Sequence, residues 1–270
     1  MADIDKKLKI MYLDIETTPN LEGTWDLYMD HRPYQALLKE KSILSVAWKW
    51  EGEKDCQVVS VLDSKRRFKK DPWDDFIVCK RLRQHMIDAD IIIAHNGDKF
   101  DIRFINARLA ANNMRPLPQL CTLDTYREAK RALNLNCYRL DYLGWKLLGR
   151  RKIKMDMDNW INIINPWSPV ELRTKWMEDM ITYNINDVHL LQEIYKYLDL
   201  HFNCMPPILS VTAADGLCCP QAGCGSTNYR EQGYYTPKNG TRAYKRYECK
   251  DCGRWFRDTT ASKKALVRGL

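Results

Sequence analysis

The sequence predicts an α/β protein: a mixed sheet with an antiparallel start, covered by helices, followed by a small cysteine-bearing module. Three observations carry this. Short runs rich in Val, Ile, Leu and Trp alternate with segments of helical spacing, in the order strand, strand, strand, helix, strand, helix. A long stretch from 168 to 198 then places apolar residues at a period near 3.6. Finally, Cys218, Cys219, Cys224, Cys249 and Cys252, five of the ten cysteines, crowd into the last quarter of the chain.

Residues 8–17 (Leu-Lys-Ile-Met-Tyr-Leu-Asp-Ile-Glu-Thr) read as a strand that is apolar on both faces, and 42–50 and 57–62 as two more. The basic run 64–70 reads as a loop. Residues 73–89 have helical spacing through Phe76, Ile77, Leu82 and Met86. Residues 90–95 form a short buried strand and 101–112 the helix after it. The next fifty or so residues mix helix and loop. Ser168-Pro169-Val170-Glu171 has the form of a capping box with proline in the first turn. From it a helix runs through Met177, Ile181, Ile185, Val188, Leu191, Ile194 and Leu198 until Pro206-Pro207 stops it. The organisation expected is a main domain over 1–204, a linker over 205–217, a cysteine module over 218–258 and a basic tail over 259–270.

Hydrophobic residues make up 45% and charged residues 29% of the 270, a balance that excludes a disordered or membrane-embedded chain. No apolar run approaches the roughly 18 residues that span a bilayer, and the first residues lack the apolar core of a secretory signal. A cytoplasmic protein without membrane contact is expected, so Cys56, Cys79, Cys121, Cys137 and Cys204 read as small buried hydrophobes rather than disulfides. From 205 onwards eleven Lys and Arg face five Asp and Glu, which is +6 of the chain's +8. A basic module on a nearly neutral domain points to a polyanionic partner, the alternative being a solubilising surface.

Acidic residues stand out in three places. Asp14 and Glu16 are two apart on a strand and share a face. Buried together they repel and lose hydration, which a divalent cation relieves; a strand end emerging into solvent would leave them merely hydrated. In His95-Asn96-Gly97-Asp98-Lys99-Phe100-Asp101, Asp101 falls in the first turn of a helix, with Phe100 as its expected anchor to the core. Such an acid is a ligand at a strand end or a residue favoured by the helix dipole. Asp98 reads as solvated and His95 as a satisfied core histidine. Tyr183 and Asp187 are i and i+4 on the long helix, either reaching the core edge or lying on an exposed surface.

Together, Asp14-x-Glu16, Asn96-x₃-Phe100-Asp101 and Tyr183-x₃-Asp187 resemble the three motifs of DEDD-superfamily 3′–5′ exonucleases. The group closest to them is the one related to the proofreading domain of family B DNA polymerases. Position 182, where one branch carries histidine, is Thr182, so the match is to the tyrosine branch. The resemblance covers 7–201 and is to the stand-alone members of the group, often found in phages; a phage-encoded chain would work in the host cytoplasm. It implies a ribonuclease H-like fold, two Mg²⁺ or Mn²⁺ ions, and nucleic acid as substrate, DNA ahead of RNA. Asp14, Glu16 and Asp187 would bind the first ion, Asp14 also the second, Asp101 would act directly or through water, and Tyr183 would orient the attacking water. A structure-specific endonuclease and a non-catalytic nucleic-acid-binding adaptor are the alternatives. Asn96, Lys99 and Arg103 are candidate contacts to the nucleic acid, as is the run Arg150-Arg151-Lys152, which otherwise reads as solvated surface. Trp25, Trp48 and Trp50 read as packing residues that could also stack bases.

Cys219-x₄-Cys224-Gly and Cys249-x₂-Cys252-Gly form two pairs 24 residues apart, and four thiolates suit one structural Zn²⁺. The first pair's x₄ spacing is unusual; Cys218 is a substitute ligand, but Cys219 with its following proline fits the turn better. A segment this short has little core, so metal binding would supply folding free energy. Lys245, Arg246, Arg254 and Trp255 lie in an interleaved aromatic and basic stretch that resembles zinc ribbons of some transposases and transcription factors. Capture of nucleic acid through these residues is expected, with contact to a replication or recombination protein as the competing use.

Overall fold

The computed structural model describes residues 9–25, 33–118, 120–201, 217–219, 224–235, 242–258 and 263–264. Of the expected linker over 205–217 only Leu217 is described. Cys204 and the tail, apart from Lys263 and Lys264, also lie outside the described residues. The chain divides into two compact units, one over Leu8–Lys130 and Asn134–Lys196, the other collecting Met1–Lys7, Arg131–Leu133 and Tyr197–Leu270.

In chain order the first unit runs β1 (Ile10–Thr17), the short pair β2 (Leu21–Glu22) and β3 (Leu37–Lys39), β4 (Ile43–Trp50), β5 (Gln57–Ser60), α1 (Lys65–Lys70), α2 (Phe76–Met86), β6 (Ile91–Ala94), α3 (Asp101–Ala111), β7 (Cys121–Asp124) and α4 (Thr125–Ala132). There follow α5 (Leu140–Leu143), a π-type turn over Gly144–Leu148, α6 (Met157–Ile164) and the 29-residue α7 (Val170–Leu198). Five strands form one sheet in the order β5-β4-β1-β6-β7. β1 pairs antiparallel with β4 and parallel with β6; β4–β5 is antiparallel and β6–β7 parallel. This is the expected mixed α/β sheet with an antiparallel start.

The period of two along β1 sorts its side chains between two layers. Met11, Leu13 and Ile15 join Val46, Trp48, Phe68, Leu82, Met86, Ile105 and Leu109 in one hydrophobic cluster. On the other face, Tyr12 meets Tyr195 of α7 with ring centroids 5.7 Å apart. α2, α3 and β4 are tied together by Asp75, 1% exposed. Its carboxylate accepts from Arg108 Nε (2.7 Å) and Nη2 (3.0 Å), from Asn112 Nδ2 (2.8 Å) and from the Ile43 N–H (3.0 Å).

Three expectations need correction. The basic run at 64–70 is not a loop: 65–70 is helical, because Phe68 is 1% exposed and anchors one turn while Lys65, Arg66, Lys69 and Lys70 face water. Phe100 does not anchor Asp101 to the core; it is 38% exposed and stacks on Phe104 one turn later, centroids 5.6 Å apart. Among the described scattered cysteines only Cys79 is buried, whereas Cys56, Cys121 and Cys137 are half-buried. Trp48 is core and Trp50 packs against it, while Trp25 is exposed.

In the second unit β9 (Arg242–Cys249) is flanked by β8 (Tyr229–Tyr235) and β10 (Trp255–Arg257), with the two-residue β11 (Lys263–Lys264) against its start. Tyr229, Tyr247 and Phe256 pack at centroid distances of 5.2–5.8 Å on one face. Lys245 shares that face with Tyr247 by strand alternation and pairs with Glu231 at 3.0 Å. The opposite face carries Arg246 over Trp255 (4.7 Å) and Arg257 between Tyr235 (5.0 Å) and Tyr244 (4.7 Å). Among the described residues no helix is long and apolar enough to cross a membrane.

Candidate active site

β1 carries two of the acids and reaches further than its parallel neighbour. β6 pairs with it only as far as Tyr12. Beyond that point the Ile15 N–H is met instead by the carboxyl of Asp101, the first residue of α3. The approach to α3 is tightly shaped. Asn96 takes a positive φ of 65°, and a Cβ on Gly97 would come within 2.4 Å of the Ala94 Cβ, so the Asn-Gly pair permits the turn that delivers Asp101. Asp14 and Glu16 lie on the Tyr12 face of β1, the face met by Tyr195 of α7. There Asp14, Glu16 and Asp187 offer carboxylate oxygens within 4.8 Å of one another. Asp101 lies outside that radius and is held by the β1 backbone. Tyr183 sits one turn before Asp187, beside its carboxylate.

Two residues of this site escaped the sequence reading. Asn184, fully buried, donates from Nδ2 to Asp14 Oδ2 (2.7 Å) and accepts from Ser45 Oγ (3.0 Å). It fixes the Asp14 rotamer from α7 while β4 fixes Asn184. Its signal was its place in Tyr183-Asn184-Ile185-Asn186-Asp187, where an amide one residue after the motif tyrosine turns toward β1. Lys152 read as part of a solvated run, yet its ammonium forms an ion pair with Asp187 and lies 5.0 Å from the centre of the Tyr183 ring. Asp98 is not free in solvent: it accepts from Thr122 Oγ1 (2.6 Å) and pairs with Arg127 (3.0 Å). His95 is a satisfied interior residue. Its Nε2 donates to the Tyr138 carbonyl and its Nδ1 meets the Thr125 hydroxyl, both at 2.9 Å. Thr182 is exposed and donates to the Glu178 carbonyl (3.1 Å). Lys99 and Arg103 are exposed, and the Asn96 N–H is bound by Asp124 (2.9 Å).

The electrostatics show what the cluster requires. Burial, then repulsion from Glu16, Asp187 and Asp101, pushes the Asp14 carboxyl well above its ordinary range. Burial, then Asp187, raises Glu16 to about 8, and burial raises Asp101 to about 7. Asp187 is raised by burial, which Lys152 opposes. Asp187 is buried, and the Lys152 ammonium stands directly against its carboxylate with the Tyr183 hydroxyl beside it. Asp75 provides the contrast within the same unit, because its oxygens are met by four donors. Three converging carboxylates whose negative charge one ammonium only partly offsets fit a hard divalent cation.

A pH dependence follows. In the folded metal-free protein these carboxyls hold protons that the unfolded chain has released above about pH 4. Stability is therefore highest at the acidic end and falls as pH rises through the folded-state values near 7 and 8. The melting temperature of chelator-treated protein is expected to drop between pH 5 and pH 9, and the increase produced by Mn²⁺ to grow over the same range. A flat metal-free profile would remove the buried-carboxyl reading. Truncating Asn184→Ala leaves Asp14 and Ser45 without their partner. We expect a loss of about 1–3 kcal/mol in chemical denaturation and a fall in turnover larger than any change in KM.

In the second unit the sulfurs of Cys219, Cys224, Cys249 and Cys252 lie within 4.8 Å of one another, Cys219–Cys252 at 3.5 Å and Cys224–Cys249 at 3.7 Å. Sulfurs about 2.3 Å from one Zn²⁺ would be separated by similar distances. Gly225 (φ 56°) and Gly253 (φ 76°) follow the second cysteine of each pair and take the left-handed turn that brings the pair together. Burial opposes ionisation of Cys249, but N–H groups of Cys252 and Asp251 outweigh it and hold the thiol at about 7. Arg254 does not face solvent as expected: it is 4% exposed and pairs with Asp199 at 3.1 Å. Lys245 and Arg246 lie on opposite faces of the sheet, Arg246 with the 47%-exposed Trp255.

A mixed five-stranded sheet thus carries on its first strand two half-buried carboxylates that face a third, buried one on α7, a donor set that suits a divalent cation. Residues 37–199, more than half of the chain, match the family model of the RNase H superfamily, and the chain belongs to that superfamily. Membership implies divalent metal and a nucleic acid substrate. The matched region contains Asp101 and Asp187 and begins after β1, so it is the geometry that brings Asp14 and Glu16 to them. No curated protein matches the chain.

Proposed function

We propose that this chain is a two-metal-ion 3′–5′ exonuclease of the tyrosine (DEDDy) branch, cutting DNA in preference to RNA. The observation that carries the reading is the convergence of Asp14 and Glu16 from β1, Asp101 from α3 and Asp187 from α7, with Tyr183 one turn from Asp187. When bound, two divalent cations activate the attacking water and stabilise the leaving 3′ oxygen. The protein's own part is placement. Asp14, Glu16 and Asp187 supply oxygen ligands, Asn184 and Ser45 lock Asp14, and the Ile15 N–H holds Asp101 behind them. The Tyr183 hydroxyl, kept protonated by burial and Asp187 with its pKa pushed up to about 12, can donate to the attacking water. Four cysteines suit one structural Zn²⁺, and the ribbon face bearing Arg246, Trp255, Arg257, Tyr235 and Tyr244 suits a single strand by alternating cations with rings.

The test uses single strands of DNA and RNA labelled at either end, and circular single-stranded DNA, each with Mg²⁺ or Mn²⁺. We expect the 3′ label to be released as mononucleotide, the 5′ label to shorten stepwise, and circles to survive. Cleaved circles would convert the reading to an endonuclease. Intact substrates under every condition would leave a non-catalytic binding protein.

A further inference from the structure

The segment that leads into the carboxylate cluster carries an exposed aromatic and cationic array that the chemistry above does not use. Asp141 organises it. One carboxylate oxygen accepts the Lys152 N–H (3.0 Å) and the other accepts Arg151 Nη1 (3.1 Å). This clamp sends two successive side chains in different directions. Lys152 reaches inward to Asp187 and Tyr183. Arg151 turns outward, its guanidinium 4.8 Å from the centre of the Trp145 ring. The Tyr142 ring meets Trp145 edge-on at 5.8 Å. Lys152, whose N–H is held by Asp141 and whose ammonium ends on Asp187, places the clamp beside the cluster.

Trp145 is 47% exposed in the π-type turn Gly144–Leu148, and that turn has little freedom to shift. A Cβ on Gly144 would come within 2.8 Å of the Arg150 carbonyl and 2.9 Å of a Leu190 methyl, so the backbone there packs tightly on α7. An indole held half in water on a rigid turn keeps much of its apolar surface free for a ligand. π-type turns are found disproportionately at functional positions.

From this juxtaposition we infer that Trp145 and Arg151 form a stacking platform for the single strand whose end enters the carboxylate cluster. Trp145 takes the face of a base two or more nucleotides upstream of the scissile bond, and Arg151 takes a neighbouring phosphate. The inference rests on the nuclease reading of the cluster. The charge fits: the outward Arg151 guanidinium offers a cation to a phosphodiester chain, while an indole accepts any base because every base has a π face. The shared chemistry is base plus phosphodiester, common to DNA and RNA. The platform is a positioning device and takes no part in bond breaking.

The test measures fluorescence anisotropy with labelled single-stranded 12-mers of DNA and of RNA. Full-length protein is used in a Glu16→Gln background, so that binding is read without turnover. Trp145→Ala is expected to weaken 12-mer binding about tenfold, and Trp145→Phe to recover most of that. With a dinucleotide competitor, too short to reach the platform, the loss should shrink to less than twofold. Trp167→Ala, 91% exposed and at a distance from α5 in the chain, serves as the control and leaves both affinities unchanged. A loss on both 12-mers supports the shared chemistry, and a loss on one identifies the strand held. Unchanged 12-mer affinity in Trp145→Ala overturns the inference, as does an equal loss on the dinucleotide with a lowered melting temperature. Failure of the nuclease reading shows separately, as wild-type protein that binds the 12-mer but leaves it intact with Mn²⁺.

Discussion

Replacing Asp14 by Asn is expected to abolish nuclease activity while making the metal-free protein more stable. The loss should be about a thousandfold or more in kcat, since a residue that acts as part of a ligand set removes the function of the set. The gain has a separate origin. Asp14 is half-buried beside Glu16, Asp187 and Asp101, and its charged form is opposed first by desolvation and then by these three acids. An amide of the same shape removes the repulsion and can still accept from Asn184 Nδ2 through its own oxygen. At pH 8 in chelator the variant should melt above wild type, and Mn²⁺ should raise its melting temperature much less. Thermal scans with and without Mn²⁺, run beside the end-label assay, read both effects. If Asp14→Asn destabilised the metal-free protein, the account of the cluster as a strained group of acids would be wrong. The site would then be an ordinary hydrogen-bonded core.

Cys252→Ser is expected to empty the four-sulfur site and unfold the second unit alone. Its sheet has few large buried side chains, chiefly Tyr247 against Tyr229 and Phe256. A core of that size does not offset the chain entropy of the segment, whereas a structural Zn²⁺ in small modules supplies roughly 10–16 kcal/mol. The expected result is one zinc per wild-type chain and none per variant by elemental analysis. Amides of β8 to β10 should lose their protection from hydrogen exchange, while those of β1, β4 and β6 keep theirs. Full zinc content in the variant, or intact protection without zinc, would falsify the assignment.

Much of the main sheet could be read in advance because its strands bury both faces. Runs such as Ile91-Ile92-Ile93 and Met11-Tyr12-Leu13 are apolar without interruption, and the helices between them keep a clear period. The 121–164 region was opaque for the opposite reason: β7 has four residues, α5 has four, and a π-type turn breaks the 3.6 period, so no window is long enough to show a pattern. The acids of the cluster were visible as motif positions, but the side chains that orient them were not. Asn184 meets Asp14 across 170 residues of chain, and Lys152 was hidden in a basic run because only its neighbours stay in solvent. Arg254 misled in the same way: a cation between aromatic residues looks like a phosphate contact until its partner Asp199, 55 residues away, is seen.

The Asp75 network has a consequence for how the first unit comes apart. One carboxylate is shared by the start of α2, the end of α3 and the start of β4: losing α3 removes the Arg108 and Asn112 donors, and losing β4 removes the Ile43 N–H. Opening either element strips donors from a buried charge, which couples the three elements into one cooperative folding block. That block carries the helix headed by Asp101. Local breathing, which would let the acid drift from β1 between encounters with substrate, is suppressed there. The carboxylate cluster is thus held assembled before a cation or a nucleic acid reaches it.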